Sequence, residues 1–300
     1  MISFIMMAYN VEEYIEEAIA ALQKEETVPW ELIIVEDFSD DSTFEVTKNI
    51  ADLDNRITLV KNISKGKVVG TNYGYSLTKG DIIKCIDSDD VLKQDFFREY
   101  ETMKKYDAHC HDMLIVSHTL EPMGVYNVNP AILDCTYEDV VKNLISIPKA
   151  KWSFKRTIAD KIFPMPENLP FEDVWISLHV KKYSKSIYHI KKHIYLYRQH
   201  ENQVFGGILN YDSDRVVFRA NRLIKLIDII ENEQKYLIEG IKEPFVKMKL
   251  YLDLQIKKGS ILDIINTKID LKNKIRLLLI LHFPNLATFA TKLKWKLDNR

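Results

Sequence analysis

The chain has 300 residues, 46% of them hydrophobic, and its 42 Lys and Arg nearly offset 43 Asp and Glu, for a formal net charge of −1. That balance excludes a global electrostatic case for nucleic-acid binding, and the length allows a large core with an accessory region. No apolar run is long enough to span a bilayer. The widely spaced Cys85, Cys110 and Cys135 form no Cys-X-X-Cys pair and read as reduced thiols in a cytosolic setting.

The first apolar run, Ile2 to Ala8, is followed by acidic rather than basic residues, so it reads as a strand and not as a signal peptide. Asn10 then precedes Glu12, Glu13, Glu16 and Glu17, with Tyr14, Ile15, Ala18, Ile19 and Leu22 at helical spacing. Glu31 to Val35 is the second strand. It ends in a polar turn, Glu36 to Thr43, suited to cap a helix through Asn49. Arg56 to Val60 is the third strand, after which Lys65-Gly66 and Gly70 lead a looser segment toward Gly74. Lys79-Gly80 turns the chain into a fourth strand, Asp81 to Ile86. Strands alternating with helices at this spacing predict a parallel sheet covered on both faces, with ligands outside the carboxyl ends of the strands. Glu36-Asp37 and Asp87-Ser88-Asp89-Asp90 both fall at such ends, so two acidic clusters should face one crevice.

Carboxylates crowded into the Asp87–Asp90 tetrad repel one another unless a cation or donor compensates. Hard oxygen ligands in a short loop suit Mg²⁺ or Mn²⁺, ions that commonly hold phosphates beside one or two carboxylates. The same tetrad also reads as a solvated acidic turn capping a helix that starts near Lys93. Further on, Pro164, Pro166 and Pro170 precede Glu172 and Asp173, which open a helix carrying Ile176, Leu178 and Val180. Acidic residues at a helix start serve its dipole and capping as well as any chemistry.

Beyond about residue 210 the pattern becomes helical: Val216 to Ile230, Tyr236 to Ile256 and Ile261 to Leu281, with breaks near Gly240, Pro244, Gly259 and Pro284. The stretch 211–265 reads as a helical bundle with solvated lysines. Over 268–300 the apolar run Leu277 to Phe283 lies among Lys268, Lys272, Lys274, Arg276, Lys292, Lys294, Lys296 and Arg300, a local surplus of six positive charges over Asp270 and Asp298. Apolar and basic character together favour contact of 270–300 with an anionic lipid surface.

Taken in order, Met7-Ala8-Tyr9-Asn10, Val35-Glu36-Asp37-Phe38-Ser39, Thr71-Asn72-Tyr73-Gly74, Asp87-Ser88-Asp89-Asp90, Phe171-Glu172-Asp173-Val174-Trp175 and Tyr197-Arg198-Gln199-His200 resemble the motifs of family-2 glycosyltransferases with a GT-A fold. The resemblance covers about residues 1–205. It implies an α/β, Rossmann-like, mostly parallel sheet flanked by helices, with a C-terminal helical region. The division would be a catalytic domain over 1–210, with a nucleotide-sugar-binding half (1–105) and an acceptor-binding half (106–210), followed by a helical region over 211–300.

The same resemblance implies roles. Asp37 would accept a hydrogen bond from uracil N3–H, Tyr9 would pack on the base, and the backbone at Ala8 would reach the ribose, with Asn10 and Asn72 also at the donor. Asp87 and Ser88 would address the ribose or diphosphate. Asp89, with His200, would ligate Mn²⁺ or Mg²⁺, and Arg198 and His200 would hold the diphosphate. Asp173 would be the general base that takes the proton of an acceptor hydroxyl, with inversion at the anomeric carbon. The implied partners are a nucleotide-sugar donor such as a UDP-sugar and a glycan or lipid-linked glycan acceptor. The implied location is the cytoplasm, peripheral on the cytoplasmic face of the inner membrane.

This chain departs from the family pattern at Glu36 (usually Asp), Phe38 (usually Gly) and Thr71 (usually Arg). Lys65 or Lys67 are candidates for the missing cation. Two other classes fit parts of the sequence. Asp87-X-Asp89-X-Val91 matches the loop of haloacid-dehalogenase-like Mg²⁺ phosphohydrolases, although three strand–helix units precede it here. A non-catalytic nucleotide-sugar-binding protein is the other.

Overall fold

Ile2 to Ala8 is buried because it has a strand on either side. In the computed structural model, which describes residues 1–200, 213–233 and 242–290, the first unit comprises residues 1–168 and 172–200. Its first half runs β1 (Ile2–Ala8), α1 (Ile15–Gln23), β2 (Trp30–Glu36), α2 (Thr43–Ala51), β3 (Ile57–Lys61), α3 (Lys67–Leu77) and β4 (Ile82–Asp87). After β5 (Val91–Leu92) come a 3₁₀ turn (Gln94–Glu99), α4 (Tyr100–Met103), β6 (Ala108–Val116), β7 (Pro122–Tyr126), α5 (Pro130–Asp134) and α6 (Tyr137–Asn143). A second 3₁₀ turn (Lys149–Lys151), β8 (Trp152–Lys155), α7 (Arg156–Ile162), α8 (Glu172–Tyr183) and β9 (Ile187–Arg198) complete it.

The strands form one sheet in the order β3-β2-β1-β4-β8-β6-β9-β5, with β7 also against β6. The β1, β2, β3 and β4 neighbours pair in parallel, whereas β8 runs antiparallel to both β4 and β6. Register decides where the site lies. Ala8 sits opposite Glu36, and Met7 opposite Asp87, so three strands reach the carboxyl rim at one level. Beyond the tetrad, β5 pairs with β9 through Val91 and Leu196, which brings the acidic turn beside the Tyr197–His200 segment.

The apolar spacing of α1 buries Ile15, Ala18, Ile19 and Leu22 against this sheet, and Phe4 packs among Trp30, Phe96 and Phe97. Each large side chain so buried contributes about 1.5–3 kcal/mol. The expected loose segment from Gly66 to Gly74 is instead the regular helix α3. Its glycines are there for close packing: a Cβ on Gly70 would lie 2.3 Å from Met7 Cε, and one on Gly74 would lie 2.8 Å from Ile5 Cγ2.

The second unit holds residues 169–171 and 201–300. The expected boundary between 210 and 211 lies outside the described residues, as do 234–241 and 291–300. Within this unit, α9 (Ser213–Glu233) packs on α10 (Lys242–Ile256), and Lys249 reaches both Asp228 and Glu231. The single helix expected over Ile261 to Leu281 is two, α11 (Ile261–Asn266) and α12 (Leu271–His282). Asp270 ends the first pattern and starts the second because its carboxylate accepts from Asn273 N at 2.9 Å, capping α12. Ile264, Ile269 and Leu277 form a small core there. Among the described residues no helix is long and apolar enough to cross a membrane.

Candidate active site

The site begins where β1 and β2 end. The Asp37 amide donates to the Ala8 carbonyl at 2.8 Å, locking the two strand tips together. Asn10, with φ of 49°, takes the left-handed conformation that Asn tolerates, and its side-chain oxygen accepts from Asp40 N at 2.9 Å. Phe38 also has a positive φ, 61°, at the position where the family pattern has Gly. A bulky residue there stores about 1–3 kcal/mol of backbone strain. The Glu36 carboxylate offsets part of it by accepting from Ser39 N at 2.5 Å. The Phe38 ring itself remains 47% exposed.

The buried Asp37 carboxylate is held by Asn62, which no sequence pattern marks, and by Gly66, which the pattern marks only as a turn. Asn62 Nδ2 donates to Oδ1 at 2.7 Å and Gly66 N donates to the same oxygen at 2.9 Å. Gly66 adopts φ of 146°, a conformation open to glycine, and this lets its amide face Asp37. Tyr9 is 42% exposed at the rim, with the Lys65 ammonium 4.6 Å from its ring centre.

Of the two candidate lysines, it is Lys67 that meets the tetrad: its Nζ lies 3.2 Å from Asp87 Oδ1. The Asp87 carboxylate, aided by Glu172 and Asp173, holds the Lys67 ammonium well above the ordinary lysine value. Burial opposes charge on Asp87, but the Lys67 and Lys149 ammoniums outweigh it and keep the carboxyl below its usual range. The Asp87 amide donates to Tyr195 Oη at 3.0 Å, and Ser88 is buried in the turn. Asp90 is buried too, and burial, then Asp89 and Asp87, pushes it well above the carboxylate range. Its Oδ1 accepts from the Arg198 amide at 2.8 Å, so it closes the turn onto β9.

Arg198, which the resemblance puts at the diphosphate, points into the protein beneath the tetrad. It is 2% exposed, and its guanidinium donates to the Asp89 carbonyl at 2.7 Å, to the His118 carbonyl and to the Glu17 carboxylate. It braces the tetrad from behind. Asn72 is likewise committed: its amide exchanges two 2.8 Å hydrogen bonds with the backbone of Met165, joining α3 to the loop before α8.

His200 does come to the tetrad. Its Nε2 lies 3.0 Å from Asp89 Oδ2, its ring packs 4.9 Å from that of Tyr14, and among the described residues its buried Nδ1 has no hydrogen-bond partner. Two such donors fit Mg²⁺ or Mn²⁺ held mainly by substrate phosphates and water. Among the described residues, no group of three or more His, Cys, Asp or Glu side chains is arranged for a metal by itself.

Glu172 and Asp173 open α8 as expected, and their partner is Lys149, which sequence pattern did not flag. The Lys149 amide donates to Asp173 Oδ1 at 2.7 Å, and its Nζ lies 2.8 Å from Glu172 Oε2, with the two side chains 6% and 12% exposed. Burial, helped by the neighbouring Glu172 charge, raises Asp173 above the ordinary carboxylate value. Burial would raise Glu172 as well, but the Lys149 and Lys67 ammoniums outweigh it and hold Glu172 below its usual range.

A parallel-sheet rim carrying an acidic tetrad, a carboxylate pair at a nearby helix start and cations between them belongs to the GT-A class of α/β transferases. The family profile described as glycosyl transferase family 2 matches residues 3–163, more than half of the chain, and the chain belongs to that family. The phosphohydrolase alternative falls with that match.

Among sequence relatives, EpsH of Bacillus subtilis (strain 168), named as a glycosyltransferase, is 24% identical over 246 residues, 75% of this chain and 71% of its own. The uncharacterised glycosyltransferase MG060 of Mycoplasma genitalium is 26% identical over 207 residues, 64% of this chain and 67% of its own. Among solved structures, TarS residues 1–349 of S. aureus in complex with UDP-GlcNAc superposes with a TM-score of 0.56 at 14% identity, covering 97% of this chain and 88% of that one. The mannosyltransferase PcManGT of Pyrobaculum calidifontis, in complex with GDP-Man and Mn²⁺, gives 0.57 at 13% identity, covering 100% and 88%. At these identities the structural likeness establishes the fold.

Proposed function

We propose that this glycosyltransferase moves a sugar from a nucleotide-diphosphate donor, a UDP-sugar, to a hydroxyl of a glycan or lipid-linked glycan acceptor with inversion, in cell-surface polysaccharide synthesis. The observation that carries the reading is the Lys67 ammonium, set against Asp87 at the donor tetrad and within electrostatic reach of Glu172 and Asp173. Donor chemistry and acceptor chemistry therefore share one rim.

In this reading Tyr9 packs on the base while Asp37, held by Asn62 and Gly66, accepts the N3–H of a uracil. Lys67 leaves Asp87 for the diphosphate, a compact cation for a compact anion. Asp89 and His200 would hold Mn²⁺ or Mg²⁺. When bound, that ion stabilises charge on the departing diphosphate. Asp173 takes the proton from the acceptor hydroxyl as its oxygen attacks the anomeric carbon opposite the leaving group, which inverts the centre. The complexes of TarS with UDP-GlcNAc and of PcManGT with GDP-Man and Mn²⁺ support a nucleotide-sugar donor and a divalent ion. TuaG of Bacillus subtilis (strain 168), 27% identical over 153 residues, 48% of this chain and 58% of its own, is named for teichuronic acid biosynthesis, in keeping with a surface-glycan acceptor.

Membrane contact belongs to the same reading. Leu271, Ile275, Phe283, Leu286 and Phe289 are exposed apolar residues, and Lys272, Lys274 and Arg276 alternate with the first two along the sequence, a combination that suits an anionic lipid surface on the cytoplasmic face. The test of the function is a donor-turnover screen with UDP-, GDP- and dTDP-sugars and Mn²⁺. Turnover of a UDP-sugar supports the reading. Nucleotide binding without any turnover would favour a non-catalytic binding protein.

A further inference from the structure

We infer that Lys149 is the positioning residue that divides the work of the acid pair, keeping Glu172 as a permanent anion and leaving Asp173 to take the proton. The inference rests on the role proposed above for Asp173. It starts from the 3₁₀ turn Lys149–Lys151, whose three residues are all buried although two are lysines.

The turn is fastened from several sides. The Ala150 carbonyl accepts from Lys84 Nζ of β4 at 2.6 Å, and His111 Nε2 of β6 lies 3.1 Å from the same oxygen. Lys151 donates to the Tyr126 carbonyl at 2.5 Å, and its ammonium sits 3.4 Å from the centre of the Tyr126 ring. Lys149 is therefore presented to α8 in a fixed position, and it spends two different groups there. Its neutral amide N–H meets Asp173, and its ammonium meets Glu172.

Two adjacent, partly buried carboxylates resist ionising together without compensation, and an unequal environment separates them into a stable anion and a proton acceptor. The ammonium sets a full positive charge against Glu172, whereas the amide offers Asp173 only an uncharged dipole, so the lysine favours the anion of Glu172 over that of Asp173. Among the described residues the other charged groups around the pair are Lys67 from α3 and Asp87 from β4; the Cys85 thiol of β4 also senses Glu172 and Lys149, and the Tyr126 phenol of β7 senses Asp173. The opposite directions in which Glu172 and Asp173 move agree with this division. Among the described residues Glu172 Oε1 is buried without a hydrogen-bond partner, so the Lys149 ammonium on the other oxygen is the main compensation for the charge of this carboxylate.

The test compares Lys149→Met and Lys149→Arg in the full chain by ¹³C-carboxyl NMR titration, with the Glu172 signal assigned by its loss in Glu172→Gln. The Met variant should titrate Glu172 about one pH unit or more higher, the usual scale for losing an adjacent opposite charge, and the Arg variant should not. In donor turnover with UDP-sugars and Mn²⁺, the rising limb of the pH profile should move to higher pH in Lys149→Met, and Lys149→Arg should return it. If Lys149→Met does not fold, Lys149→Gln keeps a donor without the charge and gives both readings. An unmoved Glu172 titration, or a slower enzyme with an unmoved limb, would overturn the assignment. The titration reads the acid pair whether or not sugar is transferred. A wild-type chain that turns over no donor while Glu172 still shifts in the variant counts against the proposed function and not against this division.

Discussion

Lys67 Nζ and Asp87 Oδ1 meet at 3.2 Å, one residue at the start of α3 and the other at the end of β4. The Thr71 hydroxyl donates back to the Lys67 carbonyl at 2.7 Å, one helical turn on, so the lysine serves the same helix face on which the family pattern has Arg. Replacement of Lys67 by Met should weaken UDP binding in the presence of Mn²⁺ by roughly 10-fold or more, the scale of a lost hydrogen bond to a charged group. Isothermal titration calorimetry reads it directly. Unchanged affinity would take Lys67 out of the donor site.

Asp89 and His200 should act together. Mn²⁺ added with UDP should raise the melting temperature of the wild type, and Asp89→Asn or His200→Ala should remove most of that increment while leaving the melting temperature without metal close to its original value. The same rise in excess chelator would refute the metal role.

Asp173→Asn should leave nucleotide affinity nearly intact and lower sugar transfer by roughly 10²-fold or more, the scale of a positioned general base. Glu172→Gln has a different signature: the buried Lys149 ammonium loses its partner, so the main effect is a lower melting temperature. Equal turnover in Asp173→Asn and wild type would leave the base unassigned.

Lys84 provides a pH prediction. Burial pushes its ammonium down to about 7. Above that pH the folded chain has lost a proton that the unfolded chain keeps until about 10.4, so the unfolded state binds more protons and this group makes stability rise with pH across that window. Below it both states are protonated and the burial cost is fully present. Measured against Lys84→Met, the unfolding free energy of the wild type should climb by up to about 1.4 kcal/mol per pH unit between about pH 7 and 9. A difference that stays flat with pH would mean that Lys84 remains protonated.

The exposed apolar face of α12 and the segment after it should bind lipid. Full-length protein should float with anionic liposomes, and a triple Leu271→Ser, Ile275→Ser, Phe283→Ser variant should float much less while keeping its melting temperature, since all three side chains are exposed. Equal flotation of the two proteins would leave the lysines as a solvated face.

Much of this was legible in the chain itself. The runs forming β1, β2 and β4 are apolar because each is buried in the sheet. Their ends are marked by Asn10, Glu36-Asp37 and Asp87–Asp90 because a chain leaving a buried strand must satisfy its backbone with polar partners. The strands of the first half and their acidic tips were therefore local properties. The helix start at Glu172-Asp173 was also local, set by the prolines before it and the apolar spacing after it.

Only the tertiary structure decided how those acids are charged and held. Lys149 reaches Glu172, Asn62 reaches Asp37, and Arg198 turns inward to the Asp89 carbonyl. Lys149, Asn62 and Lys84 lie in no periodic pattern that separates them from ordinary polar positions, and Gly70 and Gly74 read as flexible until β1 is seen packed against them. The reason is physical. Periodicity records which face of one element is buried, whereas a cation's partner depends on which distant elements share an edge. The antiparallel insertion of β8 between β4 and β6 is what carries Lys149 to the carboxylates of α8.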